Sequence, residues 1–238
     1  MKLDILAIMV HPDDVELSCS GTVMKHIDLG YKVGIIDLTQ GELGTRGNAQ
    51  IRLAEASVAA DILGVSVRDN LGMADGFFQY SKANQMDIIK KIRQYQPDII
   101  LTNAAEDRHP DHGKASRLVR DACFLAGLRK IHTEMNGIAQ EEWRPRQIFS
   151  SIQDEYMQPD IVIDISPYMD RKMKSIMAFK SQFYDPNNDE PSSPISSKEF
   201  LEATKAKNRV FGRSIKVAFA EGFTAERTIG AKDLLDLI

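Results

Sequence analysis

The sequence predicts an α/β protein: a Rossmann-like, doubly wound and mostly parallel sheet with helices on both faces. Three observations carry this. Strand-like and helix-like stretches alternate from the first residues onward, as parallel βαβ units require. The early strand-like runs are apolar almost without interruption, which is the mark of strands covered on both faces. Two short motifs, His11-Pro12-Asp13-Asp14 and His109-Pro110-Asp111-His112, each follow one of those runs.

Residues 3–10 read as the first strand. A helix starting at 14 or 15 follows and runs to 29, where Gly30 ends it. Residues 32–39 form a second strand, followed by the glycine-rich segment 41–47. An Ala-rich helix over 51–63 stops at Gly64, and 65–71 reads as a third strand. Residues 86–95 are amphipathic and helical, Pro97 ends them, and 98–102 is a fourth strand. A helix over 113–126 leads to further strands at 147–152 and 161–165. Beyond Pro167 come two helices, 168–182 and 198–211, and a late strand at 217–223. Between those helices, 184–197 is dense in Pro, Asn, Asp and Ser and reads as an irregular surface loop. The whole chain, residues 1–238, reads as one domain. In the common strand order 3-2-1-4-5, strands one and four are neighbours and the chain direction reverses between them. Ligand sites collect at the carboxyl ends of strands there, so the two His-Pro-Asp motifs are expected to meet.

The chain has 238 residues, 43% hydrophobic and 27% charged, the balance of a globular protein able to bury a core without staples. A net charge of -4 and the lack of a Lys/Arg-rich block argue against nucleic acid as a partner. Residues 1–10 show no signal-peptide cleavage pattern, and no stretch approaches the ~20 apolar residues of a membrane span. No membrane association is expected, and the cytoplasm is the expected compartment. Cys19 and Cys123 lack any short spacing and read as reduced, buried thiols.

The two motifs supply the parts of a hydrolytic metal site. A zinc ion with three protein ligands and an open position acidifies water and polarises a carbonyl. His11 and Asp14 stand three apart at a strand-to-helix turn and His112 at the mouth of the later helix, which makes these three the candidate ligands. Asp13 is then the spare carboxylate, placed as general base. His109 is the spare imidazole, placed to stabilise an oxyanion or protonate a departing amine. Asp111 is expected to hydrogen-bond His109 and raise its basicity. One such turn is more simply a helix cap, since Asp is a favoured N-cap; two at one sheet edge favour the metal.

The segment Gly41-Glu42-Leu43-Gly44-Thr45-Arg46-Gly47 lies at the same edge and is expected to reach over the site. No GxGxxG follows the first strand, which argues against a dinucleotide site. Arg46, Arg52 and Arg108 are candidate grips for an anionic or polyhydroxyl substrate, with surface salt bridging as the plainer alternative. His26 and His132 read as structural or solvated, Met169, Met173 and Met177 as core, and Trp143 as a packed loop or an oligomer contact.

Three stretches make the chain recognisable: His11-Pro12-Asp13-Asp14-Val15-Glu16-Leu17; Asp37-Leu38-Thr39 with 41–47; and Glu106-Asp107-Arg108-His109-Pro110-Asp111-His112. They resemble the LmbE-like (PIG-L) zinc deacetylases. The likeness extends over nearly the whole chain, including Ala74-Asp75-Gly76-Phe77-Phe78, Ser181-Gln182-Phe183 and Ala220-Glu221-Gly222-Phe223. Within that family the chain is most similar to the branch that removes acetyl from N-acetylglucosaminyl malate in bacillithiol biosynthesis.

The resemblance implies one Zn2+ per subunit at His11, Asp14 and His112, with Fe2+ as the alternative ion, Asp13 as base, and His109 supported by Asp111. It also implies Arg52 near a small amino-sugar substrate, and a homo-oligomer, hexamer or trimer. Two departures stand out. Phe200 occupies a segment where some relatives carry an oxyanion-holding tyrosine, so that donor is absent or is replaced by His109 or a main-chain amide. Serines stand at Ser18 and Ser20, where close relatives tend to have glycines.

Overall fold

Strand β1 (Ile5–Met9) and strand β2 (Val33–Thr39) are buried along their entire length, as their largely apolar sequences require. The computed structural model describes residues 1–231 and 233–236. The remaining strands are β3 (Val67–Met73), β4 (Ile99–Thr102), β5 (Glu134–Met135), β6 (Ile138–Ala139), β7 (Gln147–Ser151), β8 (Ile161–Asp164) and β9 (Ala220–Ala225). Seven of them form one sheet in the order β3-β2-β1-β4-β7-β9-β8, and β5 pairs with β6 in a separate ribbon. Strand β9 runs antiparallel to both neighbours, while β3, β2, β1, β4 and β7 are mutually parallel. The predicted order 3-2-1-4-5 is therefore present, extended by β9 and β8, and β1 lies beside β4 with Ile8 opposite Thr102.

Helices cover both faces: α1 (Asp14–Ser18), α2 (Ser20–Asp28), α3 (Ala49–Leu63), α4 (Lys82–Tyr95), α5 (Pro110–Ala126), α6 (Met169–Ile176) and α7 (Lys198–Ser214). One apolar cluster joins Leu6, Ile8 and Ile36 to α4 and α5 through Ile88, Ile92, Leu118 and Val119. The opposite face packs Ala7, Met9 and Ile35 against Val15, Val23 and Met24. Among the described residues no helix is long and apolar enough to cross a membrane.

Several boundaries differ from the sequence reading. The helix expected up to residue 29 is broken at Cys19. The Ser18 and Ser20 hydroxyls donate to the carbonyls of Asp14 and Glu16, at 2.6 and 2.8 Å, and such back-bonding bends a helix. The helix expected over 168–182 stops at Ile176, and tight turns then bury Phe179 and Phe183 against Leu17 and Ala59. Helix α5 begins earlier than expected, at Pro110, with His109 as its N-cap. The late strand lies at 220–225 rather than 217–223, because Val217 N–H still closes the end of α7 on Gly212 O (3.0 Å).

Two buried ion-pair systems fix α1 and α2 above the sheet. Arg68 donates to Glu16 (2.6 Å) and to both oxygens of Asp37 (2.8 and 3.0 Å). Lys172 donates to Glu221 (2.7 Å), whose carboxylate also accepts from Gly21 and Thr22 N–H at the start of α2. Both cysteines are free and buried. Met169 is buried, with Met173 and Met177 packed beside the Phe179 cluster, and the Trp143 indole N–H donates to Pro97 O at 2.7 Å.

Candidate active site

The carboxyl ends of β1, β2 and β4 are stitched together before any side chain reaches the site. Val10 N–H donates to Asn103 Oδ1 (2.9 Å), and Thr39 N–H donates to Val10 O (2.9 Å). His11, Asp13 and Asp14 leave the end of β1, and His109, Asp111 and His112 leave the end of β4 on the first turn of α5. The two motifs meet there: the His11 ring centroid lies 4.7 Å from that of His109 and 5.8 Å from that of His112. His11, Asp13, Asp14, His109 and His112 line a cleft of about 550 Å3 together with Arg52, Gly44 and Thr45. The glycine-rich segment reaches over the site as expected.

Asp14 lies between two imidazoles, its Oδ2 3.6 Å from His11 Nδ1 and its Oδ1 3.3 Å from His112 Nε2. Donors ~2.0–2.1 Å from a tetrahedral zinc stand roughly 3.3 Å from one another, so each imidazole lies at about that spacing from a different oxygen of the Asp14 carboxylate. The opposite nitrogen of each ring is already occupied. His11 Nε2 is bonded to Asp75 (3.0 Å) and His112 Nδ1 to Asp107 (2.6 Å), the carboxylate support that leaves the inward nitrogen to a metal. Asn103 and Gln153 each donate a side-chain N–H to Asp14, at 2.9 and 2.8 Å. Burial opposes ionisation of Asp14, but His112 and His11 hold its carboxyl well below the usual range. Burial likewise opposes the charge on His112, yet Asp14 and Asp107 hold it up at about 9. Two donor sets bring all their ligand atoms within 4.8 Å of one another, His11 with His109 and His112, and His11 with Asp75 and Asp111, and both share His11 with the expected trio. The buried imidazole and carboxylate donors fit a borderline divalent ion such as Zn2+.

Asp13 has φ 120°, a left-handed backbone that a non-glycine residue adopts only when its surroundings force it. Arg52 supplies that force. It donates to Asp13 Oδ2 (2.8 Å), Pro12 O (2.5 Å) and Gly41 O (3.2 Å). Asn48 caps the helix one turn earlier by accepting from Ile51 N–H, which sets Arg52 on the inner face of α3. Gly41 has φ 64°, and a Cβ there would fall 2.2 Å from the Arg52 guanidinium, so only glycine serves. Burial pushes the Asp13 carboxyl up to about 7, with Arg52 pulling the other way.

His109 caps α5 by accepting the Asp111 N–H on Nδ1 (3.3 Å). That bond makes Nδ1 an acceptor and leaves Nε2 to carry the proton of the neutral ring. Burial and the neighbouring His11 and His112 charges lower its pKa, which favours that neutral form.

The expected link from the Asp111 carboxylate to His109 is not made. Asp111 Oδ2 instead accepts from Gly76 N–H (2.9 Å) and lies 3.7 Å from His11 Nε2, while Oδ1 pairs with Lys114 (2.5 Å). On the first turn of the helix the carboxylate points back across the site, not along the chain to residue 109. Of the three arginines, Arg46 does not reach the cleft. Its guanidinium holds the 184–197 loop through Pro191 O (2.6 Å) and Glu190 O (3.2 Å). Arg108 lines the cleft but is paired with Asp154, and Arg52 lines it while engaged with Asp13. Phe200 also lines the cleft, stacked on Phe183. Sequence reasoning missed Asp75, Asp107, Asn103 and Gln153. Asp75 and Asp107 stand inside the quoted motif segments, so a search for carboxylates supporting the histidines would have found them.

The sheet, with imidazoles and carboxylates gathered at its β1/β4 switch point, defines a Rossmann-like protein with a candidate single-metal centre. The family model described as PIG-L, GlcNAc-PI de-N-acetylase, matches residues 6–123. The chain is 31% identical over 191 residues to the diacetylchitobiose deacetylase of Thermococcus kodakarensis, covering 75% of this chain and 70% of that one. It is 26% identical to the probable N-acetyl-alpha-D-glucosaminyl L-malate deacetylase 2 of Bacillus subtilis, over 76% of this chain and 84% of that one. Among solved structures, the conserved protein TT1542 from Thermus thermophilus is 32% identical, with 98% of each chain covered and a TM-score of 0.86. The chain belongs to the PIG-L family of LmbE-like deacetylases.

Proposed function

We propose that the protein hydrolyses the N-acetyl group of an N-acetylglucosamine conjugate, with N-acetylglucosaminyl malate as substrate and glucosaminyl malate and acetate as products. The observation that carries this reading is the meeting of the two His-Pro-Asp motifs around Asp14, with Asp13 left over beside them and already paired to Arg52. Diacetylchitobiose and N-acetylglucosaminyl malate deacetylases among the relatives support an acetylated glucosamine as the substrate class.

His11, Asp14 and His112 would hold one Zn2+, which when bound supplies Lewis-acid polarisation and a more acidic water. Asp13, whose carboxyl lies near 7, takes a proton from the water as its oxygen bonds to the acetamide carbon. The neutral His109 donates its Nε2 hydrogen to the carbonyl oxygen as negative charge develops there. Because His109 Nδ1 is committed to capping α5, the ring is not a carrier of the proton released by water. Asp13 therefore returns that proton to the sugar nitrogen as the C–N bond breaks, and the acetic acid formed gives its own proton to the amine, so that acetate and the ammonium form of the sugar leave. Acetate release from synthetic N-acetylglucosaminyl malate, with and without added Zn2+ after chelation, tests the proposal. Steady release that needs the metal supports it, and no release from the malate conjugate, the methyl glycoside or diacetylchitobiose removes it.

A further inference from the structure

Apart from the histidines, three basic side chains line the cleft, and two are neutralised within the protein. Arg52 is paired with Asp13 and Arg108 with Asp154. The third, Lys207 on α7, lines the same cleft as His11, Asp13 and His109. Its ammonium rests on main-chain carbonyls, those of Gln153 and Ile152 (3.3 Å for the latter), and among the described residues it forms no ion pair. Asp107 and Asp154 are near enough to stabilise its charge, but Asp107 is taken up by His112 and Asp154 by Arg108. Burial and the charge of Lys172 push Lys207 down to about 8, which still leaves it protonated at neutral pH. The rest of the wall that α7 contributes is mostly apolar, through Phe200, Ala203 and Val210, so the ammonium stands alone there.

Gln153 adds a second, independent observation. Its side-chain N–H group must face the Asp14 carboxylate, to which it donates at 2.8 Å. The amide cannot turn over without bringing oxygen against oxygen, so Oε1 is fixed as the other end. That oxygen is buried and finds no donor in the protein, and Gln153 is one of the residues lining the cleft. Lys207 and Gln153 thus bring an uncompensated cation and an unfilled acceptor to one cleft, both in places where leaving them unpaired is unfavourable. A ligand bearing an anion and a hydroxyl would satisfy both.

We propose that Lys207 is a specificity-determining residue: it receives an anionic group of the sugar's aglycone, while Gln153 Oε1 accepts a hydroxyl of the same substrate. The inference rests on the deacetylation proposed above and adds how the aglycone is chosen. A carboxylate and a phosphate share the required chemistry, and a neutral glycoside lacks it.

The test compares acetate release from three acetylated glucosamines: the malate conjugate, the 1-phosphate and the neutral methyl glycoside. Wild-type enzyme should show kcat/KM at least about tenfold higher on one of the anionic substrates than on the methyl glycoside, as a charge-assisted bond implies. Which anion leads identifies the group as carboxylate or phosphate. The preference should shrink as salt is raised. Lys207→Gln should lower the anionic-to-neutral ratio about tenfold or more, chiefly through KM, and Lys207→Arg should retain the preference. Wild-type enzyme that prefers the methyl glycoside, or a Lys207→Gln variant that loses equally on all three, overturns the inference and leaves deacetylation standing. Absence of acetate from every substrate overturns the underlying reaction as well.

Discussion

Removing the Arg52 charge should move the pH at which the enzyme switches on. Asp13 sits near 7 because burial pushes its carboxyl up while the guanidinium 2.8 Å away pulls it down. An opposite charge at that range is worth ~1–3 pKa units, so without it the carboxyl should titrate at roughly 8–10. At pH 7 the wild-type base is about half ionised, and the variant's would be between ~10% and ~0.1% ionised. Turnover at pH 7 should then fall roughly five- to five-hundredfold and recover as pH rises, since the ionised carboxylate is the active form.

The assay is acetate release between pH 6 and 10 for wild type, Arg52→Met and Arg52→Lys, with Arg52→Lys showing the smaller displacement because it keeps a cation. Pro12 O and Gly41 O also lose donors at ~1–3 kcal/mol each, so thermal unfolding is followed in parallel to confirm that the variants are folded. If the acid limb stays in place while KM rises, Arg52 grips the substrate and its assignment as the partner of Asp13 is wrong.

Three further outcomes are expected. Asp13→Ala should retain bound metal and lose ~10²–10⁴-fold in turnover, whereas His11→Ala should lose the metal; equal metal loss in both would undo that division of roles. Asp107→Asn, which removes the carboxylate behind His112, should weaken metal affinity by ~10–100-fold in a competitive chelator titration, and an unchanged affinity would count against that support. Lys172→Met should lower stability by ~3–5 kcal/mol in denaturant titration, because Glu221 is left charged and fully buried beneath α2; a neutral effect would mean that its bonds to Gly21 and Thr22 suffice.

Much of this was legible because local chemistry and tertiary demand agree at the sheet centre. The largely apolar runs of β1 and β2 call for strands covered on both faces, and two such neighbours fix where His11 must emerge. The site's first ring of side chains followed from that placement. The supporting ring did not, because Asp75 and Asp107 act through imidazoles distant from them in sequence or hidden among other charges. Proximity along the chain misled for Asp111, whose carboxylate turns toward Gly76 and Lys114. Isolated arginines carry no direction in sequence, which is why Arg46 proved to hold a loop while Arg52 proved to hold Asp13. The β5–β6 ribbon could have been anticipated, since its turn is Asn136-Gly137, with φ 53° and 75°, the pair that tight hairpins favour.

The most direct test of the account is elemental analysis of the purified protein, paired with acetate release before chelation, after chelation and after reloading. It predicts one divalent ion per chain, loss of turnover on stripping, recovery on adding Zn2+, and no recovery in Asp14→Ala. Full turnover by the stripped wild-type chain, or a fully loaded chain that leaves every acetylated glucosamine intact, would contradict it.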